Sequence, residues 1–133
     1  MPGKSLKNPK PPKDFLELIG LRFVKMEKGF SRTEINITGS HLNPYESLHG
    51  GVVYSLADTG MGGALSTCLE DDERCSTIEI KINYFKSTRS GGLICDTRVI
   101  QKGKNIAFLE SSVKDNDDRL MAMASGTFYI FKK

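Results

Sequence analysis

The sequence predicts an α+β fold in which an antiparallel sheet wraps around one long central helix. Three observations carry that expectation. The run from Gly51 to Leu69 (GVVYSLADTGMGGALSTCL) shows no two-residue alternation, is apolar nearly all round, and is long enough for about four or five helical turns. Ile78, Ile80, Ile82 and Tyr84 alternate with Glu79, Lys81, Asn83 and Phe85, the period of two that marks a strand. Leu93 to Gln101, Ile106 to Lys114 and Leu120 to Phe131 then follow as extended runs joined by short turns, so the last strands form an antiparallel meander.

Each element has a local reason. Residues 1–13 combine Lys4, Lys7, Lys10 and Lys13 with Pro2, Pro9, Pro11 and Pro12, the composition of a flexible tail, and residues 14–133 are expected to form a single domain. Residues 14–20 (DFLELIG) suit a short helix whose apolar side is Phe15, Leu16 and Ile19 and which stops at Gly20. Leu21 to Thr38 reads as a hairpin turning at Lys28-Gly29, with Ile35 and Ile37 alternating against Glu34 and Asn36. In the central helix, Gly60, Gly62 and Gly63 each cost about 1 kcal/mol relative to alanine, so something must lie close enough against them to require their small size. Lys102-Gly103-Lys104 and Asn116-Asp117-Asp118 supply the turns of the meander. In the last strand Leu120, Ala122, Ala124, Gly126, Phe128 and Ile130 share one face, small enough for a helix to approach.

Composition excludes several classes. The chain has 133 residues, 38% hydrophobic and 26% charged, as an ordinary globular domain does. The net charge of +3 rests on the tail, because without those four lysines 15 basic residues face 16 acidic ones. No nucleic-acid partner is therefore expected. No apolar segment follows the lysines, so they do not open a secretory signal, and the apolar halves on either side of Asp58 are each too short to span a membrane. Cys68, Cys75 and Cys95 are odd in number and lack metal-ligand spacing, which points to a reducing, cytoplasmic setting without structural zinc.

Asp58 stands out by its surroundings, since it is the one formal charge between Glu46 and Glu70. A carboxylate in an apolar helix persists if it is paired, hydrogen-bonded or needed for its reactivity, and the sequence leaves a structural and a chemical reading open. Ahead of it, Leu48-His49-Gly50-Gly51 leads into the helix with backbone N–H groups at the positive end of the helix dipole, an arrangement that can hold an oxyanion. His49 can equally serve as a hydrogen-bonded junction residue, and the two glycines as a tight turn. Gly50 and Asp58 lie eight residues apart, about 12 Å along a helix, so a single carbonyl cannot touch both in one chain. If both act on one carbonyl, a second copy must supply the other half, with two such helices antiparallel in a homodimer.

The run Asn43-Pro44-Tyr45-Glu46-Ser47-Leu48-His49-Gly50-Gly51 followed by Asp58 resembles the signature of hotdog-fold acyl-CoA thioesterases of the phenylacetyl-CoA type, and the element order is similar over nearly the whole chain outside the tail. The resemblance implies a hotdog fold and hydrolysis of an acyl-CoA substrate to free acid and CoA without a cofactor. It implies Asp58 as nucleophile or general base, the Gly50 N–H as polariser of the carbonyl, and Asn43 and His49 as residues orienting thioester, water and loop. A hydroxyl at the start of the following strand, Thr77 in preference to Ser76, would assist the water. Gly51, Ser76 and Tyr84 join the expected substrate contacts, and Lys86, Arg89, Lys102 and Lys104 are expected near the CoA phosphates. Pairing of two dimers into a tetramer comes from the resemblance alone. Two other readings remain at this level: a hydratase or dehydratase on the same fold, and a non-catalytic regulator that binds acyl-CoA.

Overall fold

Asp14 opens the first helix, α1 (Phe15–Ile19), by accepting a hydrogen bond from the Glu17 N–H at 3.0 Å, and Gly20 closes it in the left-handed region at φ 75°. The computed structural model describes residues 10–133, so most of the Lys/Pro tail expected over 1–13 lies outside the described residues. Strands β1 (Arg22–Glu27) and β2 (Phe30–Asn36) form the expected hairpin, and Gly29 at φ 75° supplies the positive dihedral that its two-residue turn requires. The long helix α2 (Gly50–Ser66) comes next, followed by β3 (Glu73–Tyr84), β4 (Gly92–Lys102), β5 (Ile106–Asp115) and β6 (Leu120–Lys132). Helix α2 starts one residue before the run expected from sequence and stops at Ser66, short of Leu69.

The six strands form one antiparallel sheet in the order β1-β2-β4-β5-β6-β3, which leaves β1 and β3 as its edges. Helix α2 lies across one face. Its Leu56, Met61 and Leu65 are fully buried against Ile35, Leu93, Leu109, Val113 and Ile130 of the sheet. Ala122, Ala124, Gly126, Phe128 and Ile130 of β6 face this core as the sequence pattern suggested, but Leu120 does not join them: the register shifts at Met121, which is buried in its place. Gly126 admits the helix directly, because a Cβ there would lie 2.6 Å from the Met61 sulfur.

Two expectations need correction. The helix is not covered on all sides by its own chain: Gly51, Ser55, Asp58, Thr59, Gly62 and Ser66 form a stripe that faces away from the sheet, and nothing lies within 4 Å of a Cβ added at Gly62. Gly60 and Gly63 do meet close neighbours, Thr97 and Phe23 respectively. The regular alternation along β3 is also broken. Thr77 pairs with Phe128 and Glu79 with Thr127, so Ile78 is the extra residue of a bulge and is 53% exposed instead of joining Ile80 and Ile82 on the helix face.

Substituting Gly60→Ala is expected to destabilise the fold by about 1–2 kcal/mol despite alanine's better helix propensity, because its Cβ would lie 2.7 Å from Thr97 Oγ1. That oxygen is held at 2.7 Å from Ser111 Oγ and has little room to move. Urea unfolding of the variant reads the loss, and unchanged stability would contradict the tight helix–sheet approach.

Candidate active site

Three segments converge on the N-terminus of α2. A short 3₁₀ turn (Gly39–His41) enters a loop closed by the Leu42↔Leu48 bridge and by the Asn43 N–H donating to the Ser47 carbonyl at 2.8 Å. The Leu48 N–H donates to the Thr88 carbonyl and the His49 N–H to the His41 carbonyl, at 2.8 and 2.9 Å. The peptide that enters the helix is thereby clamped from both sides.

His49 is the N-cap, and its Nδ1 accepts the Gly51 N–H at 2.8 Å. Its carbonyl accepts the Val52 N–H at 3.0 Å. Of the first three N–H groups of the helix, only that of Gly50 has no partner among the described residues, so it is the donor left for an incoming oxygen. Gly51 was expected to touch substrate, but its N–H is occupied by His49. In the neutral ring, the accepting Nδ1 leaves the proton on Nε2.

Asn43 organises the loop. Its Oδ1 accepts from the N–H groups of Tyr45 and Ser47 at 2.9 and 3.2 Å and from Ser47 Oγ at 3.4 Å. Its amide NH₂ therefore remains as the group it can offer to a ligand, as a donor only. A cavity of about 530 Å³ opens beside this loop, lined by Asn43, Ser47, Leu48, Gly50, Gly51, Val53, Leu93, Met121 and the run from Tyr84 to Thr88. Its walls are mainly apolar and Lys86 contributes a cation.

Asp58 lies two helical turns further on, on the uncovered stripe. It is only partly buried in the single chain. Thr77 Oγ1 donates to Asp58 Oδ1 at 2.7 Å. The bulge at Ile78 explains that contact: it keeps Thr77 on the helix face with Cys75 while Ile80, Ile82 and Tyr84 continue that face beyond it. Ser76, the alternative assisting hydroxyl, points the other way by strand alternation. Burial pushes the Cys75 thiol up, and the nearby Asp58 charge adds to the shift.

At the other end of β3, Tyr84 Oη donates to the Gly50 carbonyl at 2.8 Å, and its ring packs so close that a Cβ at Gly50 would lie 3.1 Å from the hydroxyl oxygen. Burial raises the Tyr84 phenol, with a smaller contribution from Tyr54. The edge strand thus grips the helix at both positions singled out by sequence, Gly50 and Asp58, without bringing them to one point. Arg89 is exposed on the connection after Lys86, next in sequence to the cavity-lining Thr88. Lys102 and Lys104 sit at the β4–β5 turn, at the opposite end of β4 from the cavity-lining Leu93, and the chain itself does not bring them to the site. His41 was not anticipated. The single sequence clue is its place three residues after Thr38, the spacing of a capping box, which the two residues do form.

The model of the thioesterase superfamily matches residues 45–122. The chain belongs to that superfamily. Its sheet and central helix are the hotdog fold. A relative from Saccharolobus solfataricus that carries a provisional esterase name is 33% identical over 120 residues, covering 90% of this chain and 79% of its own. The 1,4-dihydroxy-2-naphthoyl-CoA hydrolase of Listeria monocytogenes is 28% identical over 117 residues, covering 88% and 95% of the two chains. The acyl-coenzyme A thioesterase PaaI of Escherichia coli is 24% identical over 109 residues, covering 81% and 76%. Among solved structures, the conserved protein PA5202 of Pseudomonas aeruginosa superposes with a TM-score of 0.84 at 32% identity, covering 87% of this chain and 92% of that one. The thioesterase family and the hotdog fold implied by the Asn43-to-Asp58 signature are therefore those of the chain. No described helix is long and apolar enough to cross a membrane.

Cys95 provides a check on the core beneath the site. It is fully buried, and burial pushes its thiol up to about 11. At pH 8 the folded protein is expected to leave Cys95 unmodified by iodoacetamide while Cys68 and Cys75, which are partly exposed, react first. Peptide mapping before and after unfolding reads this, and early labelling of Cys95 would contradict the packing described.

Proposed function

We propose that the protein hydrolyses an acyl-CoA thioester to a carboxylic acid and CoA, at sites composed from two copies of the chain. The observation that carries this reading is the division of labour along α2. Gly50 presents the one unengaged N–H at the head of the helix, beside the cavity, and Asp58, held by Thr77, stands on the open stripe two turns away. The thioester carbonyl accepts from the Gly50 N–H of one copy, which stabilises the negative charge that develops on its oxygen. The partner copy's carboxylate at position 58 then either attacks the carbonyl carbon, expelling the CoA thiolate and leaving an acyl anhydride that water cleaves, or takes the proton from an attacking water and returns it to the CoA sulfur as the C–S bond breaks. The Thr77 hydroxyl fixes the carboxylate orientation, and the Asn43 amide supplies a second donor at the cavity wall.

The open stripe supports a homodimer. Gly51, Ser55, Gly62 and Ser66 are small, so a second helix can approach antiparallel and bring its own Asp58 toward the Gly50 of the first. Association of two such dimers into a tetramer follows the family likeness. On this reading Lys86, at the cavity wall, and Arg89 meet the CoA phosphates, and Lys102 and Lys104 meet them only if the partner copy carries them there. Three free thiols suit a reducing compartment such as the cytoplasm.

The hydratase reading asks His49 to act as a base. With Nδ1 occupied by the Gly51 N–H and the proton on Nε2, the neutral ring has no nitrogen left to accept one. A regulator that only binds acyl-CoA gives no use for the Asp58–Thr77 pair.

Release of free thiol from benzoyl-, phenylacetyl- and hexanoyl-CoA tests the proposal. The Asp58→Asn variant, which keeps the side-chain shape, is expected to lose at least about a hundredfold in kcat. Hydrolysis at the wild-type rate by the variant would contradict the role given to Asp58.

A further inference from the structure

The Gly50 N–H can act as an oxyanion donor only if the peptide ahead of it is held in one direction, and His41 supplies one side of the clamp that holds it, opposite Thr88. The His49 N–H, one residue before Gly50, donates to the His41 carbonyl at 2.9 Å. The same residue is anchored through its side chain. His41 is buried, 7% exposed as a residue, and both of its ring nitrogens are engaged with backbone. Nδ1 lies 2.9 Å from the Thr38 N–H, and Nε2 lies 2.7 Å from the Ile19 carbonyl.

These two partners leave the ring no choice of state. Thr38 N–H can only donate, so Nδ1 must accept. The Ile19 carbonyl can only accept, so Nε2 must carry the proton. The ring is the neutral Nε2–H tautomer, and no carboxylate within the described residues forms an ion pair with it. One side chain therefore ties the end of α1, the 3₁₀ turn and the entry to α2 together. With both nitrogens committed, His41 has nothing to offer substrate.

We propose that His41 is a positioning residue for the Gly50 donor. Locked as the Nε2–H tautomer between Thr38 and Ile19, it fixes the carbonyl that aims the His49–Gly50 peptide at the cavity. This rests on the reading of Gly50 given above. Removing the ring contacts lets the 38–49 segment relax and turns the N–H away from its working direction, while the apolar cavity that binds the acyl group stays in place. Such an error acts on the transition state more than on substrate binding.

Three variants and one spectrum test this. In the wild-type protein, long-range ¹H–¹⁵N correlation of the imidazoles is expected to show His41 as the pure Nε2–H tautomer; an Nδ1–H tautomer would overturn the proposal. His41→Leu keeps bulk and loses both contacts. With benzoyl-CoA it is expected to lose roughly tenfold or more in kcat with KM within about twofold, and to shift the Gly50 amide resonance. His41→Asn keeps an acceptor near the Nδ1 position for the Thr38 N–H and is expected to recover most of kcat. His41→Gln keeps a donor toward Ile19 and is expected to recover less. If His41→Leu folds, keeps wild-type kcat and leaves the Gly50 amide unmoved, the proposal is wrong. Where His41→Leu does not fold, the order of His41→Asn above His41→Gln decides, and equal kcat and amide shifts in those two overturn it. A wild-type protein that hydrolyses no acyl-CoA defeats the hydrolase reading instead, and the tautomer and amide shifts still decide the role of His41.

Discussion

Ser31 Oγ donates to the carbonyl of Gly60 at 2.6 Å, and Thr33 Oγ1 to that of Leu56 at 3.2 Å. Both hydroxyls are fully buried, and both carbonyls belong to the middle of α2. Helix carbonyls already accept within the helix, so these bonds use second lone pairs and bind the helix to the sheet at fixed depth. Gly60 permits that depth, since any side chain there runs into Thr97. Beneath them Thr97 and Ser111 satisfy each other, and no buried side-chain nitrogen or oxygen among the described residues lacks a partner. A polar layer of this kind stabilises only when complete, and it fixes position more sharply than apolar contact does. The placement of every working group on α2 follows from it.

The second constraint is the edge strand. β3 has a neighbour on one side only, so its inner face meets both the helix and open space. Tyr84 and Thr77 use that position to bond the helix at Gly50 and at Asp58 while remaining exposed themselves. A strand rises about 3.3 Å per residue and a helix 1.5 Å, so two such contacts are made only where the strand crosses the helix at an angle. The bulge at Ile78 sets the parity that lets both side chains point inward. The seam of Asp58, Thr77 and Ile78, beside a helix stripe of small residues, is the surface that the proposed second copy would cover.

Much of this was legible in the sequence for physical reasons. Helix α2, the hairpin at Lys28-Gly29 and the meander of β4, β5 and β6 follow from periodicity and turn chemistry, which are local. Spacing showed that Gly50 and Asp58 cannot touch one carbonyl within a single chain, and their pairing as two parts of one function came from the family resemblance and belongs to the proposal. The bulge was not legible, because Thr77-Ile78-Glu79-Ile80 continues a regular pattern and only pairing with Phe128 and Thr127 breaks it. A second copy's helix lying antiparallel to α2 was expected from the spacing, but which residues of α2 would face it was not legible, since apolar and small residues look alike whether they face their own sheet or another copy. His41 left only the capping-box spacing from Thr38 as a sign, because the partners of its ring, at Ile19 and Thr38, are backbone groups, and backbone leaves no mark in a sequence.

The central claim is that Gly50 and Asp58 act on one carbonyl across an interface between two copies. Mixed dimers of Asp58→Ala and Gly50→Pro chains, each inactive alone and each confirmed to fold and associate, test it most directly. A heterodimer of the two holds one site with both working groups and one with neither. Random mixing is therefore expected to restore about a quarter of wild-type thiol release, as composite sites in a two-fold dimer require. Heterodimers that form and stay as inactive as their parents would contradict the account.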